Sequence, residues 1–518
     1  MLLKKISFFL LLFSFSLNSQ SLNDFLKISI DNPVGSARFE SMGGAFGALG
    51  GDLSAINVNP AGSAVFNDNQ YEFTLSNSNK STKSYYFSNT SSISKNKFSG
   101  NQAGGVWVFE NYGGGNVNKI SFSVNAQTNN SYYDNFEIKG RNQLNSIDKF
   151  FINNSNGVSV SDISVAANES TSEVYKFLGE YYGFSAQQAF LAYQGYLIDF
   201  DGSNNNFYSL ARYNNGVDQQ YTSDSKGYNN KYNLNIAIQF KEDFYFGLNI
   251  NTHEIYTENY TRHFESNFDD DSAIKSILFE NRLTTYGEGF SFQIGALRKF
   301  NKLRIGISYQ SPTWYTLWDE TSQYLETESV DLNGLNYRDI VDPRITNLYP
   351  KYKLNSPSSI TLSSALVIGK IGLLSLDVIS KDYSKIKVKP KNVFSDSNNL
   401  IKSQLQSTLD FKIGSEIRLN KLSLRAGFNS IESPFINFTE DNSSISYGFG
   451  YDFGNTLINF SHKTLQQSKN YQLFDTGLTD NALLESSNSI SSLRPSLSKS
   501  TTNWFFSMSD EALYANIS

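Results

Sequence analysis

Long stretches of this chain alternate apolar and polar residues with a period of two, and that pattern limits what it can fold into. Ile120, Phe122, Val124 and Ala126 alternate with Lys119, Ser121, Ser123 and Asn125. The pattern recurs at Leu234, Ile236, Ile238 and Phe240; at Phe244, Phe246, Leu248 and Ile250; and at Phe290, Phe292, Ile294 and Ala296. It returns at Leu303, Ile305, Ile307 and Tyr309, at Leu422, Leu424, Ala426 and Phe428, and at Ile445, Tyr447, Phe449 and Tyr451. Successive side chains on a strand point to opposite faces, so each segment has one apolar, charge-free face and one polar face. A soluble sandwich also alternates, but its strands average about five or six residues. Residues 356–370 and 372–389 run on well past that.

The connections come in two sizes. Tight turns sit at Lys241-Glu242-Asp243, Asn301-Lys302, Gly369-Lys370, Asn420-Lys421 and Asp452-Phe453-Gly454-Asn455, with long polar stretches over 134–229, 266–281, 319–355 and 392–403 between them. Short turns on one side and long loops on the other are the signature of an outer-membrane barrel, with the tight turns facing the periplasm. In lipid only a helix or a closed barrel satisfies every backbone group. The expected fold is therefore all-β, an antiparallel transmembrane β-barrel over 63–518, with its largest loop at about 134–229. That loop carries helical patches at 161–182 and 185–198, with Ser161 and Ser185 as expected N-caps.

Composition agrees. Aromatics reach 15%, charged residues only 18%, and mean hydropathy is still negative at −0.38. A helical membrane protein needs apolar runs of about 20 residues, whereas a barrel hides its lipid-facing residues one in two among polar ones. The formal charge of −6, or −8 without Lys4 and Lys5, provides no basic surface for nucleic acid. The absence of cysteine excludes disulfides, thiolate metal sites and a cysteine nucleophile.

Residues 1–20 read as a cleaved signal peptide: Lys4 and Lys5, an apolar run from Ile6 to Leu17, then Asn18-Ser19-Gln20 with cleavage expected after Ser19. The run is too short to cross a bilayer core, which needs about 20 residues. Residues 21–62 that follow are rich in small residues and lack either periodicity. The run Met42-Gly43-Gly44-Ala45-Phe46-Gly47-Ala48-Leu49-Gly50-Gly51, then Asp52, then Asn57-Val58-Asn59-Pro60-Ala61-Gly62, suits a compact segment packed inside something larger.

Arg38-Phe39-Glu40-Ser41-Met42-Gly43-Gly44-Ala45-Phe46, Asp52-Leu53-Ser54-Ala55 and Asn59-Pro60-Ala61-Gly62 together resemble the N-terminal plug of the FadL/TodX/OMPP1 family of outer-membrane transporters. Gln188-Ala189-Phe190-Leu191-Ala192-Tyr193-Gln194-Gly195-Tyr196-Leu197-Ile198 and Tyr471-Gln472-Leu473-Phe474-Asp475-Thr476-Gly477-Leu478-Thr479 look like the variants found in Bacteroidetes. The resemblance implies a barrel of about fourteen strands closed by the plug, which takes up long-chain fatty acids or aromatic hydrocarbons and releases them sideways into the membrane. It implies a hydrophobic small-molecule ligand, outer-membrane lipids, lipopolysaccharide and the barrel-assembly machinery as partners, and no cofactor. Carried onto this sequence, it makes Met42, Gly43, Gly44, Ala45, Asp52, Asn59, Pro60 and Ala61 the residues that hold the plug. Each has a plainer reading, in which the glycines and the proline only shape turns. Leu22, Phe25 and Leu26 are the expected ligand contacts in an inner pocket.

The sequence departs from the family pattern at its end. Such barrels finish on an alternating strand with a terminal aromatic, but Pro495 interrupts 489–496 and cannot donate to a ladder. The region expected to supply a closing strand is 503–507, with Trp504, Phe505 and Phe506, unless the natural C-terminus is altered.

No enzyme reading gains support. There is no GxSxG elbow, P-loop or HExxH motif. His253 and His263 lie ten residues apart, about 33 Å on an extended strand, too far for one metal. The run Asp269-Asp270-Asp271 suits a solvated loop better than a Ca²⁺ site. The competing readings are a passive porin, which should lack the Gly-rich plug, an adhesive barrel, and a barrel hydrolase without a visible catalytic set.

Overall fold

The computed structural model describes residues 22–111, 115–202, 206–436, 442–474 and 476–499. The expected leader at 1–20 and the expected closing residues 503–507 lie outside these.

Fourteen antiparallel strands form one closed wall, each paired with its neighbours in chain order. They are β1 (Asn69–Tyr86), β2 (Asn89–Glu110), β3 (Val117–Ser131, continuing as Asp134–Asn142), β4 (Val217–Phe240), β5 (Phe244–Ser266) and β6 (Ile274–Phe300). Then come β7 (Leu303–Gln310 and Trp314–Val330), β8 (Tyr352–Asn355 and Ser359–Ile368), β9 (Gly372–Asp382 and Lys387–Lys389) and β10 (Ser407–Leu419). The last are β11 (Leu422–Ile431), β12 (Asn442–Asp452), β13 (Thr456–Gln472) and β14 (Asn481–Lys499). β7 pauses at Pro312 and β8 at Pro357, where the imino acid has no N–H to donate.

Closure comes earlier in the chain than expected. β14 pairs with β13 from Thr456↔Leu497 to Gln472↔Asn481 and with β1 from Asn69↔Lys499 to Tyr85↔Leu483. Pro495 is accommodated because the β14–β1 ladder skips the two positions opposite it and Arg494, resuming at Leu75↔Leu493.

The alternation maps onto lipid and lumen. Leu234, Ile236, Leu248 and Ile250 point outward and are exposed, while Asn233, Asn235, Asn249 and Asn251 on the same strands are buried. The buried amides bond one another, as in Asn235 Nδ2 to Asn249 Oδ1 at 2.7 Å. Polar inside and apolar outside is stable only where the solvent is hydrocarbon. Among the described residues no helix is long and apolar enough to cross a membrane.

The long loops are shorter than the polar stretches suggested. β3 and β4 extend past the apolar band, leaving 143–216 as the loop instead of 134–229. The gap expected at 266–281 shrinks to 267–273, and that at 319–355 to 331–351. Above the lipid both faces of a strand are wetted, so alternation disappears while pairing continues. The 143–216 loop folds into α3 (Asp148–Ser155), α4 (Val160–Ile163), α5 (Thr171–Tyr181) and α6 (Phe184–Gln194). The expected caps are displaced. Ser170 caps α5 in a capping box with Glu173, Ser161 lies within α4, and Ser185 lies within α6 because Gly183, at φ 86, makes the turn and starts the helix sooner. Phe150, Phe151, Tyr175, Phe190 and Leu197 form an apolar cap together with Leu473 and Leu478.

Candidate functional site: the lumen segment and the wall seam

Residues 22–66 touch strands all the way round the barrel and therefore occupy its lumen. They carry α1 (Leu22–Ser29), α2 (Ala37–Ser41) and 3₁₀ turns at Ser54–Asn57 and Pro60–Val65. Three groups of contacts anchor them. On one side Asn59 Nδ2 donates to Gly47 O at 2.8 Å and to Ala296 O of β6 at 3.1 Å, while its Oδ1 caps the turn by accepting from Ala61 N. Asn235 Nδ2 donates to Pro60 O, and Gln293 Nε2 to Val58 O. Gly247 of β5 faces this turn so closely that a Cβ there would lie 2.3 Å from the Pro60 carbonyl carbon.

On the opposite wall, Met42-Gly43 lies against Gly414 and Gly427 of β10 and β11. Gly43 has φ 63, and a Cβ on it would meet Phe428 O at 2.8 Å. The next turn presents Phe46 N and Gly47 N to the buried Asp377 carboxylate of β9, at 2.9 and 3.0 Å.

The third anchor is charged. Arg494 of β14 is 1% exposed and bridges Asp52 Oδ2 (2.7 Å) and Glu72 Oε1 of β1, at the place where the β14–β1 ladder is interrupted. Asp52 also accepts from Ser36 Oγ and Ser54 N. Burial alone would raise the Asp52 carboxyl, but Arg494 and Arg38 outweigh it and hold the group below its ordinary value. Nearby, Arg38 pairs with Glu416, which also binds Arg425 and Arg418.

Above these anchors the wall parts. β2 and β3 pair from Glu110↔Lys119 only as far as Gln102↔Gln127. Beyond that, β2 runs on to Asn89 paired to β1, and β3 runs on paired to β4. Both strands carry an extra residue just above the fork, Asn101 on β2 and Asn129 on β3, and such bulges bend and twist a strand. The edge of β3 is taken instead by the lumen segment: Val34 N donates to Thr128 O and Asn32 N to Asn129 O. Across the gap only side chains reach, such as Lys97 Nζ to Ser131 Oγ and Tyr133 OH to Asn96 O.

An apolar environment lies on each side of the fork. Inside, α1 buries Phe25 and Leu26 against Tyr132, Tyr315, Tyr352 and Phe394. On the lipid face just below the fork, a concave pocket of about 530 Å³ lies between Tyr71, Trp107, Ala103, Val124, Ala126 and Leu234.

No family model and no curated protein matches the sequence. Among solved structures, a Pseudomonas aeruginosa FadL homologue superposes over 90% of this chain and 99% of its own, with TM-score 0.53 at 11% identity. The chain has the FadL fold. The Pseudomonas putida toluene transporter TodX aligns over 90% of this chain and 99% of its own, with TM-score 0.49 at 11% identity. The Ralstonia pickettii toluene transporter TbuX covers 89% and 98%, with TM-score 0.46 at 14% identity.

Within this FadL fold the residues singled out in the sequence do not converge on one point. Asn59, Pro60 and Ala61 anchor to β4–β6, Met42 to Ala45 lie against β10–β12, and Asp52 meets Arg494 of β14, which in turn pairs with Glu72 of β1. Phe25 and Leu26 reach the inner apolar cluster directly, and Leu22 packs at its edge. Sequence reading missed Asp377, Glu416, Arg425 and Arg494. Each lies on the non-lipid face of a membrane strand, so a charge in an otherwise Ser/Asn/Gly face was the available signal. It also missed Gln102 and Gln127, which no composition rule marks. His253 and His263 face the lumen buried, and no group of three His, Asp or Glu is placed to hold a metal among the described residues. Asp269 accepts the N–H groups of Asn214 and Asn215 and so ties down a loop.

Proposed function

We propose that this protein admits hydrophobic small molecules, long-chain fatty acids or aromatic hydrocarbons, across a bacterial outer membrane and releases them sideways through its wall. The observation that carries the reading is the parted β2–β3 seam, flanked by the apolar α1 cluster inside and an apolar pocket on the lipid face. A watery pore would cost an apolar solute roughly 0.8 kcal/mol per exposed CH₂, and a passage from greasy lumen to lipid avoids that cost. In this reading residues 21–62 of the exported chain are the hatch, held by Met42, Gly43, Gly44, Ala45, Asp52, Asn59, Pro60 and Ala61. Phe25 and Leu26 occupy the ligand's place until it arrives, with Leu22 beside them, and the loop helices form the outer entrance. The lumen segment, bonded to the wall on all sides, argues against an open porin.

The test uses the absence of native cysteine. Asn96→Cys and Tyr133→Cys, which face each other across the gap, are bridged with a bismaleimide in cells that take up radiolabelled oleate through this protein. Bridging is expected to abolish uptake, while each single variant treated alike retains it. Undiminished uptake in the bridged protein would rule out the lateral route.

A further inference from the structure

The fork between β2 and β3 ends at the pair Gln102↔Gln127, and both glutamines are buried and face the lumen. In an ordinary polar-lined barrel, facing amides bond across the ladder, as Asn233 and Asn251 do. These two are instead each engaged by the same turn of the lumen segment. Ser54 Oγ donates to Gln102 Oε1 at 2.8 Å, and Asn57 Nδ2 donates to Gln127 Oε1. Gln102 Nε2 then reaches two rungs down, on the same face, to Asn125 Oδ1 at 3.2 Å. Ser54 and Asn57 are the first and last residues of one 3₁₀ turn, so a single rigid piece grips both sides of the fork at its last closed rung.

The rungs on either side make this position meaningful. Above it, the bulges at Asn101 and Asn129 splay the strands, and the lumen segment's own backbone has replaced β2 on the edge of β3. Below it, Ala103↔Ala126 and Gly104↔Asn125 are small or polar and hold the strands mainly through backbone bonds. The buried Asn57 Oδ1, Gln127 Nε2 and Asn125 Nδ2 have no protein partner, so bonding capacity at the fork is left unused in this arrangement. A fork between two bulged strands has no intrinsic reason to stop at one rung. Something must set its position, and the turn is the only part of the lumen segment bonded to both strands there among the described residues.

We propose that the Ser54–Asn57 turn is a clasp that fixes how far the β2–β3 wall is unzipped, so that displacement of the lumen segment lets the fork run down toward Gly104. Ser54, Asn57, Gln102 and Gln127 are then positioning residues, and their link to release rests on the transport reading above. The clasp would couple the two events a lateral route needs: moving the segment out of the way and widening the opening beside it. Ser54 also tethers the clasp to the charged anchor, since its N–H bonds Asp52, which Arg494 holds.

The experiment is amide hydrogen exchange on the full-length protein in lipid nanodiscs, comparing wild type with the double variant Ser54→Ala, Asn57→Ala. Exchange is expected to speed up at least tenfold in 102–106 of β2 and 123–127 of β3, with β5–β6 and β10–β11 unchanged. Ser308→Ala, which removes a wall bond to Val58 O away from the fork, is expected to leave the fork at the wild-type rate. Gln127→Ala takes the Asn57 contact away from the wall side, leaves the lumen segment's sequence intact, and should reproduce the local acceleration. Unchanged exchange at the fork in both the double variant and Gln127→Ala, or a rise spread evenly around the barrel, would overturn the clasp. Oleate uptake by the same variants bears on transport alone: a fork that loosens without altering uptake supports the clasp and counts against the lateral route.

Discussion

Removing Arg494 is expected to cost more than removing either of its carboxylate partners singly, and far less once Asp52 is already gone. Arg494, Asp52 and Glu72 are all nearly or wholly buried, and among the described residues the guanidinium is the one cation in contact with both acids. Breaking a buried pair by deleting one partner costs about 3–5 kcal/mol, because the remaining charge stays desolvated. Arg494→Ala strands two carboxylates and belongs at the upper end of that range. Asp52→Ala leaves Arg494 still paired with Glu72 and belongs at or below the lower end. In the double variant the stranded Asp52 no longer exists, so the coupling energy should reach about 2–3 kcal/mol, the upper range for residues in direct contact. Guanidinium unfolding in detergent micelles, followed by far-ultraviolet circular dichroism on the four proteins of the cycle, measures it. Losses that add to within about 0.5 kcal/mol would refute the reasoning, and with it the claim that the lumen segment and the closing strand are held as one unit.

Two further outcomes follow from the anchors and the cap. Gly247→Ala would put a Cβ 2.3 Å from backbone atoms of Pro60, which cannot rotate away as a side chain would. The overpacking should cost about 1–3 kcal/mol and appear as raised permeability to small polar solutes in a liposome-swelling assay, with the barrel's heat-modifiable gel mobility unchanged. In the outer cap, burial pushes the Asp148 carboxyl of α3 up to about 6, even though Ser209 and Tyr213 bond it. A folded pKa above the ordinary carboxylate value means the cap is most stable below pH 4 and loses that contribution as pH rises through about 6. Asp148→Asn should therefore slow amide exchange in α3 at pH 7.5, by up to about 3 kcal/mol in protection, and match wild type near pH 4.

Lipid made the wall legible. A strand with hydrocarbon on one side and water on the other must alternate, and the segments around Ile120, Leu234, Phe246 and Ile305 do so, with Ala237 the one apolar side chain on the lumen face of the Leu234 segment. That constraint stops where the membrane stops, which is why Asp134–Asn142 and the upper half of β4 read as loop although they pair residue for residue. β14 was missed for a related reason: its serine-rich sequence carries little apolar signal, and Pro495, which cannot donate to a ladder, argues against a strand until the ladder's own interruption beside it is taken into account. In the lumen segment the glycines and Asn59-Pro60 announced tight local turns, and those turns are present. Local preference does not say which wall residue a turn will meet, so Asp377, Arg494 and Gln127 had to come from the fold. The two helix caps failed in the same way, because Gly183 starts α6 before Ser185 can cap it.

Ion conductance across a planar bilayer reports most directly whether the N-terminal segment closes the lumen. The full-length protein is expected to carry no steady current, whereas deletion of residues 22–62 should give a stable open pore, because the lumen of a barrel of this strand number is wider than its inward side chains alone fill. Equal conductance with and without the segment would contradict a lumen closed by the chain's own N-terminal residues.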